Sequence, residues 1–290
     1  MHPAASVIVF TTLSGAGFGL LAFLGIGEPA PTGLRAFWFY LLGYGLAVAG
    51  LLASTLHLAN PRNAIKAFRE WRSSWLSREA VLSVTALIAV APVAFGRVFL
   101  GQDWPVLGVI GAALCLLVVF STSMIYAQLR TVPRWNTPLT PVVFLAFALA
   151  GGAILAGRLQ AALAALAVLG CVQLAAWIVG DRRFAQAGSD AGTATGLGRI
   201  GRVRLLEPPH AGRNYVLDEM AFRVGRRHAA KLRILSLVGA VVLPGILLAT
   251  LGTGVVVTAV AAILHLAGAL ASRWLFFAEA RHVVGLYYGR

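Results

Sequence analysis

The sequence predicts an all-α integral membrane protein of eight transmembrane helices, with a short interfacial helix between the second and third. Three observations carry this reading. Of 290 residues, 59% are hydrophobic and 12% are charged, about half the ~25% charge of an average soluble chain. The mean hydropathy is +0.83. The apolar residues also gather into runs close to the ~20 that cross a bilayer as a helix satisfying its own backbone hydrogen bonds. The net charge of +14 does not mark a nucleic-acid-binding protein, because no soluble domain is visible that could carry a basic face.

The runs fall at 5–26, 36–59, 80–100, 104–127, 138–157, 159–179, 234–251 and 254–278, and together they are read as one transmembrane domain spanning 1–290. The first lacks a basic leader and a small-residue cleavage site, so it is expected to be retained, and no twin-arginine export address precedes it. Pro61 stops the second run, since proline cannot continue a helix. Between the second and third runs, Ile65, Phe68, Trp71, Trp75 and Leu76 fall on one side of a helical wheel and Arg62, Lys66, Arg69 and Glu70 on the other. That pattern predicts an interfacial helix over 61–77, with tryptophans at the headgroup level of the membrane lipid. Ser77 is placed to cap the third span, with Glu79 in its first turn. Short connections then make the following helices antiparallel neighbours. The last two runs are parted by "GTG" (252–254) and form a hairpin, because one helix of ~45 residues would be twice too long for the bilayer. Residues 182–233 open Gly/Ser/Thr-rich, turn strongly basic, and hold no soluble core. They are a docking loop for a partner or a solvated connector.

Lysine and arginine set the orientation. The second, fourth and sixth connections hold 5, 2 and 11 of them, the C-terminal end holds 3 counting Arg273 near the end of the last run, and the odd-numbered connections together hold 3 counting Arg97 near the end of the third run. By the positive-inside rule both termini and the long basic loop are cytoplasmic, as expected for a multi-pass protein of the bacterial inner membrane.

Two ionisable residues stand where charge is expensive. His57 lies about one turn inside the end of the second span, and Glu79 opens the third, so antiparallel packing brings them to one depth. Such groups are functional-site candidates by default, and a histidine with a carboxylate could accept the protons that a hydroquinone sheds on oxidation. The alternative is a histidine bonded between helices and a glutamate that merely caps. His2, Tyr126 and Arg273 stand at the same ends of their spans and either wall a pocket or anchor the interface. His265, mid-way along the last run, has no second histidine at its depth for an axial haem pair, and two cysteines cannot make a four-thiolate cluster site, so neither haem nor an iron–sulfur cluster is expected. Cys115 and Cys171 read as small buried hydrophobes. "GLGRIG" at 196–201 lacks the strand and lysine of a phosphate loop, and neither "GxSxG" nor "HExxH" occurs.

"HPAASVIVFTTLSGAGFGLLAF" (2–23), "STLHLANPRNAIKAFREWRSSWLSREA" (54–80), "YAQLRTVPRWNTPLTPVVF" (126–144) and "ALASRWLFFAEARHVVGLYYG" (269–289) resemble the membrane anchor subunit of dimethyl sulfoxide reductase-type molybdoenzymes, the DmsC branch of the NrfD-like proteins. "WRSSWLSRE" and "TVPRWNTPLTP" carry most of the resemblance, which runs from end to end. It implies eight spans, a bound quinone (ubiquinone or menaquinone), a ferredoxin-like iron–sulfur subunit as docking partner and a molybdopterin catalytic subunit beyond it. It also implies roles at matching positions: His57 at the quinone, Glu79 as the acidic residue opening the third span, and Arg273 as a basic residue of the last. Arg62 and Trp75 join His2 and Tyr126 as pocket-wall candidates, and Arg69, Arg72, Arg226 and Arg227 are candidates for partner docking. The family's "HLGxPxRA" is "HLANPRNA" here, with Ala59 for the glycine and Asn63 for the arginine, and Arg62 stands next to the lost cation.

The function expected is therefore a quinone-binding anchor that exchanges electrons with an iron–sulfur subunit and does no chemistry on the final substrate. The lysine and arginine distribution matches the branch of cytoplasm-facing sulfite dehydrogenase, which holds sulfite oxidation ahead of dimethyl sulfoxide reduction. A proton-coupled transporter is the alternative, for which broken mid-membrane helices or an inverted repeat would speak.

Overall fold

The computed structural model describes residues 3–56, 61–207, 210, 212, 220 and 228–288, the side chains of 61–64 excepted. Among the described residues all regular structure is helical. Eight long helices follow in order: α1 Ala5–Gly25, α2 Gly33–Thr55, α3 Trp75–Phe95, α4 Pro105–Ala127, α5 Leu139–Leu155, α6 Leu159–Gln186, α7 Ala229–Leu251 and α8 Val255–Ala278. Seven are long and apolar enough to cross a membrane, α3 with its continuation to Leu100, and α5 is an apolar helix of 17 residues. This is the all-α membrane architecture that the hydropathy runs predict.

The interfacial segment forms in part. Pro61–Phe68 winds as a 3₁₀ helix, and its side chains Ile65 and Phe68, with Trp71 in the turn that follows, are exposed, as suits a membrane surface. The chain then turns, and α3 starts at Trp75 with Ser74 as its extended N-cap, so Ser77 and Glu79 lie inside the helix and Ser77 caps nothing. Arg78 explains the early start. Its guanidinium reaches back to the carbonyls of Trp71 and Arg72 at 3.0 and 2.7 Å and lies 4.4 Å over the Trp75 ring, holding the turn so that the helix begins before the apolar run does.

Helix α1 is the axis of the bundle and packs on α2, α4, α5 and α8. It is apolar all round, which fits a helix surrounded by other helices, and Phe18, Leu20, Leu21 and Leu24 are wholly buried. In lipid, helices associate through close van der Waals packing that small residues permit. Gly19 of α1 and Gly152 of α5 make that contact: a Cβ on Gly19 would stand 1.9 Å from the Ala148 carbonyl oxygen. Gly19→Val is expected to force the two helices apart and lower stability by about 3 kcal/mol, the upper end for overpacking. Gly15→Ala, where a Cβ meets nothing within 4 Å, serves as the control and should leave stability unchanged or slightly raised. Thermal unfolding of the two variants in detergent, beside the unsubstituted protein, checks both.

The last two helices are separate, as the length argument requires. Gly252 turns the chain between them at φ +73°, a conformation that favours glycine. Within α7, residues Val238–Val242 form a wider π turn ahead of Pro244. Pro244 has no N–H to offer the carbonyl one turn back, and His265 of α8 takes that carbonyl, Ala240 O, at 2.7 Å.

Two faces are distinguished by their ion pairs. On one, the α1–α2 and α5–α6 connections meet through the Glu28–Arg158 ion pair. Beside them Arg97, 1% exposed, bonds to Asp103 at 2.7 Å and to the Leu24 carbonyl at 2.6 Å. The other, basic face gathers the α4–α5 connection and the ends of α6, α7 and α8. Cys171 is exposed on α6 rather than buried, where the surrounding solvent of the span is lipid.

Candidate functional site

Glu79 of α3 and Arg273 of α8, two charges among apolar residues, lie towards the basic face, and α4 adds the polar side chains of Thr122 and Tyr126. Glu79 projects from the second turn of α3 and is 4% exposed. Its carboxyl meets Thr122 of α4, Oγ1 to Oε1, at 2.5 Å, and the same hydroxyl lies 3.1 Å from the Val118 carbonyl. One hydroxyl hydrogen cannot serve both acceptors. Both are satisfied when the carboxyl holds a proton and donates it to Thr122, which then donates to Val118. Glu79 is thus housed in a niche that accommodates a protonated acid.

One turn along α4, Tyr126 lies within electrostatic reach of both Glu79 and Arg273. Aromatic neighbours hold it: Trp135, Phe276 and Phe277 pack edge to face with centroids 5.3 to 5.4 Å away, and Phe144 completes the cluster at 5.9 Å. Arg273 of α8 is 3% exposed and sits 3.6 Å above the Phe144 ring. A ring face attracts a cation, but its Nε has no hydrogen-bond partner. Among the described residues no carboxylate pairs with it. Trp75, at the start of α3, packs edge to face on Phe120 at 5.9 Å, one turn nearer the surface than Glu79.

The structure therefore gathers Glu79, Tyr126 and Arg273, with Trp75 close above the acid. Arg69 and Arg72 are exposed just after the 3₁₀ segment, and Arg62 lies on that segment with its side chain outside the described atoms. His57, His2, Arg226 and Arg227 lie outside the described residues.

Sequence reasoning missed a second feature on the same face. Arg134 bridges Asp181 at 2.8 Å and Glu279 at 2.6 Å, and Arg233 bridges the same two carboxylates at 2.6 and 2.7 Å. These four residues close a ring of alternating charge between the α4–α5 connection, α6, α7 and the residue after α8. The motif "TVPRWNTPLTP" supplied the signal without the role. Besides Arg134, it gives Trp135, whose Nε1 donates to the Phe276 carbonyl at 2.8 Å, and Asn136, which donates to the Ala127 carbonyl at 2.6 Å and accepts from Arg183 at 2.8 Å. Thr140 donates to the Trp135 carbonyl at 2.7 Å. The motif braces the aromatic cage around Tyr126.

Eight apolar helices with a buried acid, a phenol and an arginine grouped below one face define a multi-pass membrane protein. Groups of three or more His, Cys, Asp or Glu that could hold a metal ion do not occur among the described residues. The chain belongs to the DMSO reductase anchor subunit (DmsC) family, whose family model matches residues 1–179. It is 32% identical to a sulfite dehydrogenase subunit from Allochromatium vinosum over 326 aligned positions, covering 99% of either chain. No solved structure matches it. It is thus a membrane anchor of the molybdoenzyme class to which that family belongs.

Proposed function

We propose that the chain binds quinone beside the basic face, exchanges electrons between quinone or quinol and a ferredoxin-like iron–sulfur subunit, and so links the membrane to a molybdopterin subunit. The observation that carries this reading is the buried Glu79 carboxyl bonded to Thr122, with Tyr126 one helical turn further along α4 and within electrostatic reach of both Glu79 and Arg273. A quinone ring needs polar partners for its oxygens and an aromatic wall. Thr122, Tyr126 and Trp75 offer both, and the unspent Nε–H of Arg273 is a donor still without an acceptor. A bound quinol supplies electrons and protons. The chain's part is to take the protons: His57 as the group at the quinone oxygen, Glu79 as the carboxyl that receives or returns them, and Arg273 as a fixed positive charge near the reacting oxygens.

The relative's name supports sulfite oxidation as the linked reaction. We further propose that the basic face is cytoplasmic in the bacterial inner membrane, both termini included, and that Arg69, Arg72, Arg226 and Arg227, with the 182–233 loop, receive the iron–sulfur subunit. Electrons and protons would then use one side, and turnover would move no net charge across the membrane.

His57→Phe tests the reading. The expected result is a complex that still co-purifies with its iron and molybdenum subunits but has lost quinone-linked turnover by at least about a hundredfold, the low end for a positioned acid–base group. Undiminished turnover, or a tagged chain that purifies alone with no quinone-analogue binding, overturns it in favour of transport.

A further inference from the structure

A line of buried polarity runs inward from the ion-pair ring and meets the Glu79 site only at Arg273. It begins at the ion-pair ring, where Arg134, Asp181, Arg233, Glu279 and Arg281 bound a cavity of about 310 Å³ on the basic face. Arg134 and Glu279 also bound a second cavity of about 40 Å³, whose wall carries Thr140, Gln173, Ser272 and Arg273. Arg273 in turn closes a third, of about 10 Å³, with Thr12 and His265. That is about the least space that holds one water molecule. Neighbouring cavities share wall residues, Arg134 and Glu279 between the first two and Arg273 between the last two.

Their walls ask for water. The Nε of Arg273 and the hydroxyl of Thr12 are buried without a hydrogen-bond partner, and such groups in native structures are ordinarily satisfied by protein or by ordered water. A water site needs about two to four polar partners, and Arg273, Thr12 and His265 line the innermost cavity together. His265 can use it. Its Nδ1 bonds to the Ala240 carbonyl, and its Nε2 faces Gly151, where a side chain would come within 3.3 Å. With Nδ1–H donated to Ala240, a neutral imidazole keeps the lone pair of Nε2, which can take a proton from a neighbouring water.

We propose that the three cavities form a water-filled inlet from the basic face to His265, and that His265 accepts a proton at its inner end. The proposal stands whether or not quinone binds at Glu79. Exchange of the histidine ring C2 hydrogen for deuterium, followed by mass spectrometry on the full chain in nanodiscs, tests it directly, because that exchange requires both water and a protonated ring. His265 is expected to exchange within about tenfold of the exposed His228, although its side chain is buried. Ser272→Leu, which fills the second cavity, is expected to slow His265 about fivefold or more and leave His228 unchanged. If that variant does not fold, Gln173→Met narrows the same neck. No deuterium at His265 once His228 has fully exchanged overturns the inlet. So does exchange that neither substitution slows, because water would then arrive by another route.

Discussion

Glu79→Gln is expected to lower quinone-linked turnover of the assembled complex by at least about a hundredfold, the low end of what a positioned acid or base contributes. The fold should survive. Glutamine has the volume of glutamate, its amide N–H can donate to Thr122 across the 2.5 Å contact as the protonated carboxyl does, and no charge partner is orphaned, because Arg273 is not paired with the acid. What is lost is the exchangeable proton. Thr122→Val separates the two roles, since it removes the bonded hydroxyl and leaves the carboxyl. Its expected cost is about 1 kcal/mol of stability, with turnover reduced far less than in Glu79→Gln. Steady-state turnover with a soluble quinol analogue, measured beside thermal unfolding of each variant, checks the pair. Full activity in Glu79→Gln would remove the carboxyl from the proton path and leave it a packing role.

The architecture was legible because bilayer thickness dictates run length, and a chain of this hydropathy has few other ways to satisfy its backbone. Helix ends were less legible for a physical reason. Helix α6 continues to Gln186 and α7 begins at Ala229, well outside the apolar runs, because Asp181, Arg183 and Arg233 on those extensions have partners across the face. A hydropathy window scores such residues as loop. Glu79, which opens the third run, and Arg273, inside the last, could be singled out from sequence, but that Tyr126 comes within reach of both depends on which faces of α3, α4 and α8 meet. Nothing in the sequence marks Asp181 or Glu279, since the two arginines that claim them lie 46 to 145 positions away in the chain. His265 shows the same limit. The carbonyl it takes lies on another helix, and only the fold brings it within 2.7 Å.

Glu279→Ala is expected to lower stability by about 3 kcal/mol, the lower end for removing one partner of a buried ion pair. Of the four ring members Glu279 is the least solvated, with a side chain 7% exposed against 15% for Arg134 and 25% for Arg233. Without it both guanidiniums must share Asp181, which is 47% exposed and already bonded to each. Two like charges then face each other with half their compensation gone. Asp181→Asn removes the solvated carboxylate instead and should cost about 1 kcal/mol or less, although it breaks as many ion pairs. This asymmetry separates a burial-driven ring from a surface network. Denaturant unfolding of both variants at low and high salt checks it, with the Glu279→Ala loss persisting in salt and the Asp181→Asn loss fading as exposed charges are screened. Equal losses would mean the ring acts as a solvated cluster. Because the ring joins the α4–α5 connection to α8, its loosening also frees Trp135 from Phe276, the stacked pair that braces Tyr126. A stability defect at Glu279 should therefore bring a partial loss of turnover, which Arg134→Lys, retaining the charge but not the two-carboxylate reach of the guanidinium, should share in smaller measure.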